Sequence, residues 1–266
     1  MFRFHKMHGL GNDFVVIDAR DTPVEITPAR ALALADRRSG VGCDQLILLE
    51  PSTVADVKMR IFNADGGEVE ACGNATRCVV RYLGGSRAIE TLGGLLNGTD
   101  GDLVSVDMGE PAFEWDQIPL EYPMDSRSMP VAWEDLAAPM AVNVGNPHVI
   151  FFVDDCDAVD LVRLGPVIET DPVFPARVNV NVATVVDRST IRLRVWERGV
   201  GLTLACGTGA CATAVAAIRS GRVDGPVTVM LPGGPLVIDW AVGRPIRMSG
   251  PATHVFTAEA DLSDFG

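Results

Sequence analysis

The 266-residue chain contains itself twice. The segment VKMRIFNADGGEVEACGN (57–74) aligns without a gap on IRLRVWERGVGLTLACGT (191–208), matching Arg60/Arg194, Gly67/Gly201, Ala71/Ala205, Cys72/Cys206 and Gly73/Gly207. The offset is 206 − 72 = 134, about half the chain. The same offset pairs Gly11-Asn12 with Gly145-Asn146, Gln45 with Asn179, Asn63 with Glu197, and GEP (109–111) with GRP (243–245). One spacing held across separated places marks an internal duplication. It requires two similar α/β domains related by approximate two-fold symmetry. Residues 1–118 form the half carrying Cys72 and residues 119–266 the half carrying Cys206, with the last strand able to pack back on the first half.

Local signals follow the duplication. A strand in each half (15–18; 149–153) precedes a helical stretch, and the first of these is marked by Thr27 as N-cap, Pro28 at N1 and Gly40 beyond its end. Strands are expected at 45–49 and 178–186, then alternating strands at 57–62 and 191–196. Each half then turns through a Gly-rich loop into ACG and a helix. The second such helix, GACATAVAAIRS, is apolar or small around nearly its whole circumference, so protein must surround it. The predicted class is α+β: two homologous domains, each a curved, barrel-like mixed sheet around a central helix, with the active site between them. The stretch PAFEWDQIPLEYPMDSRSMP (111–130) has no clear periodicity and reads as the interdomain linker.

Composition narrows the function. With 35 acidic against 22 basic residues the formal net charge is −13, which disfavours nucleic acid or an anionic membrane as partner. Hydrophobic residues at 47% and charged ones at 21% describe a packed globular chain. The start, MFRFHKMHGLGNDF, lacks the pattern of a secretory signal, and no apolar run approaches the roughly 18 residues that span a bilayer. A soluble, cytoplasmic protein is expected. The six cysteines (43, 72, 78, 156, 206, 211) include no CxxC pair, and the four histidines are scattered, so no metal is expected. Only two lysines, Lys6 and Lys58, are present to form the Schiff base that pyridoxal phosphate needs. No phosphate-binding Gly-rich loop occurs. The expected partner is a small amino-acid substrate, with no cofactor, and a homodimer stays open.

Cys72 and Cys206 each stand at a strand-to-helix turn, followed by Gly and then Asn74 or Thr208. At a helix N-terminus a thiol is expected to shift toward thiolate. One such cysteine would read as structural, as Cys43, Cys78, Cys156 and Cys211 do. Two at equivalent positions of a duplicated fold suit stereochemical inversion: one thiolate takes a proton from one face of a carbon while the opposite thiol delivers one to the other. The enediolate charge would be held by backbone N–H groups of Gly73, Asn74, Gly207 and Thr208. The remaining paired positions are mostly amides, Asn12, Gln45, Asn63, Asn146 and Asn179, suited to a zwitterionic amino acid. Arg198 could take a second carboxylate in a bidentate pair. His148 and Glu197 are candidates for catalytic support.

These residues resemble the cofactor-independent diaminopimelate epimerases. The likeness runs through HGLGNDFVVID (8–18), GCDQLILL (42–49), FNADGGEVEACGNATRC (62–78), VGNPHVIFF (144–152), ARVNVNVA (176–183) and WERGVGLTLACGTGA (196–210). It implies interconversion of LL- and meso-diaminopimelate in lysine and cell-wall precursor biosynthesis, with Cys72 and Cys206 as the two bases. It also implies that Asn12, Gln45, Asn63, Asn146, Asn179, Glu197 and Arg198 contact substrate, with the reacting carboxylate on the backbone of Gly73-Asn74 and Gly207-Thr208. The family often reads CGNG after its first cysteine and DGS before it, whereas Ala75 and Gly67 stand here. Neither change removes a group the proton transfers need. A proline racemase-like enzyme of the same fold is the nearest alternative, and a thiol redox or metal-binding protein is the alternative of another class.

Overall fold

The computed structural model describes residues 1–70 and 72–265, so Ala71 of the repeat lies outside the described residues. Strands Phe2–Gly9 (β1) and Asn12–Asp18 (β2) form a hairpin whose two linking residues, Leu10 and Gly11, both adopt left-handed φ of 57° and 87°. That backbone matches the twist of the flanking strands. Helix Pro28–Ala35 (α1) starts where Thr27 accepts a hydrogen bond from the Arg30 N–H at 3.2 Å. Gln45–Glu50 (β3), Val57–Asn63 (β4) and the short Glu68–Val69 (β5) lead into helix Gly73–Leu83 (α2), followed by Ser86–Thr91 (β6), Gly94–Thr99 (β7) and Val104–Asp107 (β8).

The second half opens with a small hairpin, Ala132–Trp133 (β9) and Leu136–Ala137 (β10), and then repeats the first. Its elements are Met140–Asn143 (β11), Pro147–Phe152 (β12), Leu161–Glu169 (α3), Asn179–Asp187 (β13), Thr190–Glu197 (β14), Gly201–Thr203 (β15), Gly207–Arg219 (α4), Val227–Leu231 (β16), Gly234–Asp239 (β17) and Arg247–Gly250 (β18). Thr253–Ala260 (β19) closes the chain's strands. The pairings match step for step. β1/β2 and β11/β12 are antiparallel, β2/β3 and β12/β13 parallel, β3/β4 and β13/β14 antiparallel, and β4/β6 and β14/β16 parallel.

The expected GEP/GRP equivalence is corrected. Gly109 follows β8, whereas Gly243 precedes β18, because the turns after the central helix differ in length between the halves. The constant offset therefore ends with α4.

Two compact units result, Met1–Asp107 with Gly250–Gly266, and Met108–Ser249. In the first, β19 pairs antiparallel with β1 from Phe2↔Ala260 to His8↔Thr253. The linker expected at 111–130 belongs instead to the second unit. Ile118, Leu120 and Met129 are buried beside Leu161 and Phe174, and Ala112 bridges Asn143. Those apolar side chains are anchored one at a time, so the segment has no period to betray it.

In each unit the main strands lie between helices. Alternation sends Phe14, Val16, Ile47 and Ile61 toward α2, and Val15, Ile17, Leu46 and Leu48 toward α1. Burial of both faces explains the unbroken apolar runs VVI and LILL. α2 packs against β1, β2, β6, β7, β8 and β19, and α4 against β11, β12, β13, β14, β16 and β17. Small residues make this enclosure feasible: Gly209 through Ala217 of α4 are all buried, and most are Gly or Ala. No helix among the described residues is long and apolar enough to cross a membrane.

Candidate active site

In each unit the amides and the cysteine collect at one edge of the sheet because of strand register. In the first, Asn12 opens β2, Gln45 opens the parallel β3, and Asn63 ends the antiparallel β4 directly opposite Gln45. Gln45 donates to Asn63 Oδ1 at 2.9 Å. Cys72 is the N-cap of α2, with extended backbone (φ −148°, ψ 111°). Its thiol faces Asn12 Oδ1 at 3.9 Å, and the same oxygen accepts from Asn74 Nδ2 at 3.1 Å. Asn74 Oδ1 in turn accepts from Arg77 Nη2 at 2.8 Å. Arg77 is fully buried and also donates to the Pro251 carbonyl at 3.3 Å. Asn12 is tied to the strand ends as well, donating to Asp44 at 2.9 Å.

The second unit repeats this edge with different chemistry. Cys206 caps α4 and accepts from the Gly209 N–H at 3.3 Å, while the Thr208 hydroxyl lies 3.5 Å from the sulfur. Asn146 precedes β12, Asn179 opens β13 beside His148, and Glu197 ends β14. Asn146 Nδ2 donates to Thr208 Oγ1 at 3.3 Å, and Asn146 Oδ1 meets His148 Nε2 at 3.0 Å. Asn179 Oδ1 accepts the Arg198 backbone N–H at 2.9 Å and its Nδ2 donates to the Pro147 carbonyl at 2.9 Å. Glu197 accepts from Thr203 Oγ1 at 2.5 Å and hydrogen-bonds the Cys206 side chain. Arg198 is exposed, and one of its guanidinium nitrogens donates to the Ala176 carbonyl at 2.8 Å.

The turn carrying Glu197 and Arg198 is held from below. Glu169 of α3, 5% exposed, accepts from Trp196 Nε1 at 2.8 Å and from the Gly199 N–H at 2.9 Å. The Trp196 indole lies so close over Gly165 that a Cβ there would collide with the ring.

Electrostatics correct one expectation. The Cys206 thiol is pushed well above its ordinary pKa, first by burial and then by the Glu197 charge, against the hydrogen bonds from Thr208 and the Gly209 N–H. The helix N-terminus does not make this sulfur a resting thiolate, because desolvation disfavours the charged form more strongly. Burial also raises Glu197, opposed by its bonds to Thr203 and Cys206. His148 is fully buried and lowered to about 3, chiefly by burial, so the imidazole is neutral. The structural reading of three other cysteines fits their surroundings: Cys43, Cys78 and Cys156 sit in apolar core.

Sequence reasoning passed over Arg77 in the first unit and Asn181 in the second, both fully buried polar residues. Asn181 had one visible signal, a second amide two residues after Asn179 in an otherwise apolar strand. Among the described residues, the one group with metal-ligand geometry is Asp155, Cys156 and Asp157. Both of its carboxylates are already paired with Arg192, at 2.7 and 3.0 Å.

A duplicated α+β architecture with a cysteine at the head of each enclosed helix defines the class, a two-domain isomerase. The same fold occurs in a solved structure described as a probable proline racemase from Agrobacterium radiobacter K84, with a TM-score of 0.68 at 16% identity over 98% of this chain and 93% of that one. The diaminopimelate epimerase family model matches residues 4–114 and 140–255. Diaminopimelate epimerase of Rhizorhabdus wittichii is 77% identical over 99% of this chain and 97% of its own length, and that of Sphingopyxis alaskensis 69% identical over 99% of each. The chain belongs to the diaminopimelate epimerase family.

Proposed function

We propose that the protein interconverts LL- and meso-2,6-diaminopimelate by a two-base reaction in which Cys72 and Cys206 act on opposite faces of one α-carbon. The observation that carries this reading is the equivalent placement of the two cysteines, each capping an enclosed helix beside amide and hydroxyl side chains. One sulfur, as thiolate, takes the α-proton; the C–H electron pair passes into the carboxylate as an enediolate. The opposite S–H then gives its proton to the other face, the electron pair returns to carbon, and a thiolate is left on that side. No electrons are lost, and no cofactor enters the balance. Cys206 enters as the thiol, in keeping with its raised pKa, and leaves the turnover as thiolate; Glu197 beside it is placed to hand a solvent proton back to that sulfur, while Cys72 releases the proton it took, when the enzyme resets.

The reacting carboxylate sits on the N–H groups of Gly73-Asn74 and Gly207-Thr208, where helix N-termini favour negative charge. Asn12, Gln45, Asn63, Asn146 and Asn179 hold the polar groups, and Glu197 and Arg198 face the distal amino-acid centre. Arg198 keeps guanidinium donors beyond the one used by Ala176. The substrate and the place in lysine and peptidoglycan precursor synthesis rest on kinship with the curated relatives, and that role puts the protein in the cytoplasm. In the test, Cys72→Ala and Cys206→Ala each abolish epimerisation while both proteins remain folded. Full turnover by either folded variant would end the two-base reading.

A further inference from the structure

We infer that Asn181 is a positioning residue that fixes the tautomer of His148 and thereby aims a one-way chain of hydrogen bonds at the Cys206 sulfur. The inference deepens the proposed function, since it takes Cys206 as one of the two bases.

The side-chain amide of Asn181 has one permitted orientation. Its nitrogen lies 3.0 Å from the Val149 carbonyl and 3.4 Å from that of Asn179. Turning the amide over would set Oδ1 against two carbonyl oxygens, so the nitrogen must point there. The same nitrogen lies 3.0 Å from His148 Nδ1. It can only donate, so Nδ1 must accept, and the proton of the neutral ring is on Nε2. Nε2–H then donates to Asn146 Oδ1 at 3.0 Å, which leaves Asn146 Nδ2 to donate to Thr208 Oγ1 at 3.3 Å. The Cys206 S–H is taken up by the Glu197 carboxylate, so the sulfur accepts on its other side and the Thr208 hydroxyl donates its hydrogen to Cys206 Sγ at 3.5 Å. Asn181 sets the direction of the links from His148 to Thr208, and the Glu197 carboxylate sets that of the last. Its Oδ1 has no partner among the described residues and faces the first turn of α4, 2.7 Å from where a Cβ on Gly209 would lie.

The other half shows what this arrangement replaces. At the offset of 134, His148 corresponds to Phe14 and Asn181 to Ile47, both fully buried apolar residues against α2. Two polar side chains have been placed in a layer that the fold can fill with hydrocarbon. Burying them costs free energy unless they are bonded to one another, as they are. The duplicated sites are therefore chemically distinct: Cys206 receives an oriented hydroxyl that stabilises its thiolate as the proton leaves, whereas at Cys72 Phe14 and Ile47 take the places of His148 and Asn181, and the chain runs instead from Arg77 through Asn74 to Asn12.

The test uses the full chain with 15N-labelled histidine, His148 being assigned by its loss in His148→Gln. In the unmodified protein Nε2 carries the proton and Nδ1 does not. Asn181→Leu, which copies the apolar character of Ile47, loses this single tautomer. Asn181→Asp, an isosteric change that turns the donor into an acceptor, moves the proton to Nδ1. In both variants kcat for diaminopimelate falls at least tenfold while KM changes less than about threefold, and the pH profile of kcat shifts upward. Protonated Nδ1 in the unmodified protein overturns the inference, as does unchanged kcat with either folded variant. The tautomer is read without turnover. An unmodified protein that shows the predicted tautomer yet exchanges no α-proton would refute the proposed function and leave the hydrogen-bond chain standing.

Discussion

His148 illustrates how a single residue ties stability to pH. Its pKa is lowered from 6.5 to about 3, so the folded protein binds no proton on the ring where the unfolded chain does. A depressed pKa contributes stability that is present above 6.5 and lost as pH falls toward about 3. The slope for one proton is at most about 1.4 kcal/mol per pH unit. Denaturation of the unmodified protein and His148→Gln between pH 7 and pH 4 should show the unmodified protein losing stability more steeply; parallel curves would contradict the assignment. Arg198 makes a second prediction at this scale. Arg198→Lys keeps the charge but loses the planar fork, so kcat/KM for diaminopimelate should fall at least tenfold, and an unaffected value would remove Arg198 from the distal carboxylate. The duplicated residues of the edge were legible because each has a counterpart 134 positions away. Arg77 and Asn181 were not, because their counterparts are Cys211 and Ile47. A comparison that looks for sameness passes over the positions where the halves diverge.

Among the elements, α4 and the turn after β14 carry the geometry of the second edge. A Cβ on Gly209 would approach Asn181 Oδ1 at 2.7 Å, Val195 Cγ2 at 3.0 Å and the Cys206 sulfur at 3.2 Å. Gly209→Ala should therefore cost about 1–3 kcal/mol and reduce kcat, even though alanine favours helix. A more stable, fully active variant would show that the helix start has slack. Glu169→Ala removes the acceptor of the half-buried Trp196 Nε1 and of the exposed Gly199 N–H, at a cost of about 1–3 kcal/mol in all. Its KM should rise because the turn bearing Glu197 and Arg198 loosens; unchanged melting temperature and KM would refute the clamp. These elements were readable as strands and helices from alternation, caps and glycines. The 111–130 segment was not, because Ile118, Leu120 and Met129 are buried by tertiary contacts that follow no period.

At the scale of the whole molecule, the duplication explains why one chain builds two α+β units with the same strand pairings. The return of the chain into the first unit adds β19 to β1, with Phe4 and Phe256 in edge contact at 6.2 Å. Deleting residues 250–266 leaves β1 an open edge, so the truncated protein should aggregate or melt at markedly lower temperature. A truncated chain with unchanged melting behaviour would mean that β19 is dispensable to the first unit.

The central claim is that two thiols invert one α-carbon by proton exchange with opposite faces. It is tested most directly by incubating the protein with LL-diaminopimelate in deuterated water and following deuterium at the α-carbon by mass spectrometry and NMR. Meso product forming from LL substrate should carry one deuterium at the inverted centre, introduced as that product forms, and proline under the same conditions should remain unlabelled. Inversion that retains the original hydrogen, or labelling of proline in preference to diaminopimelate, would contradict the account.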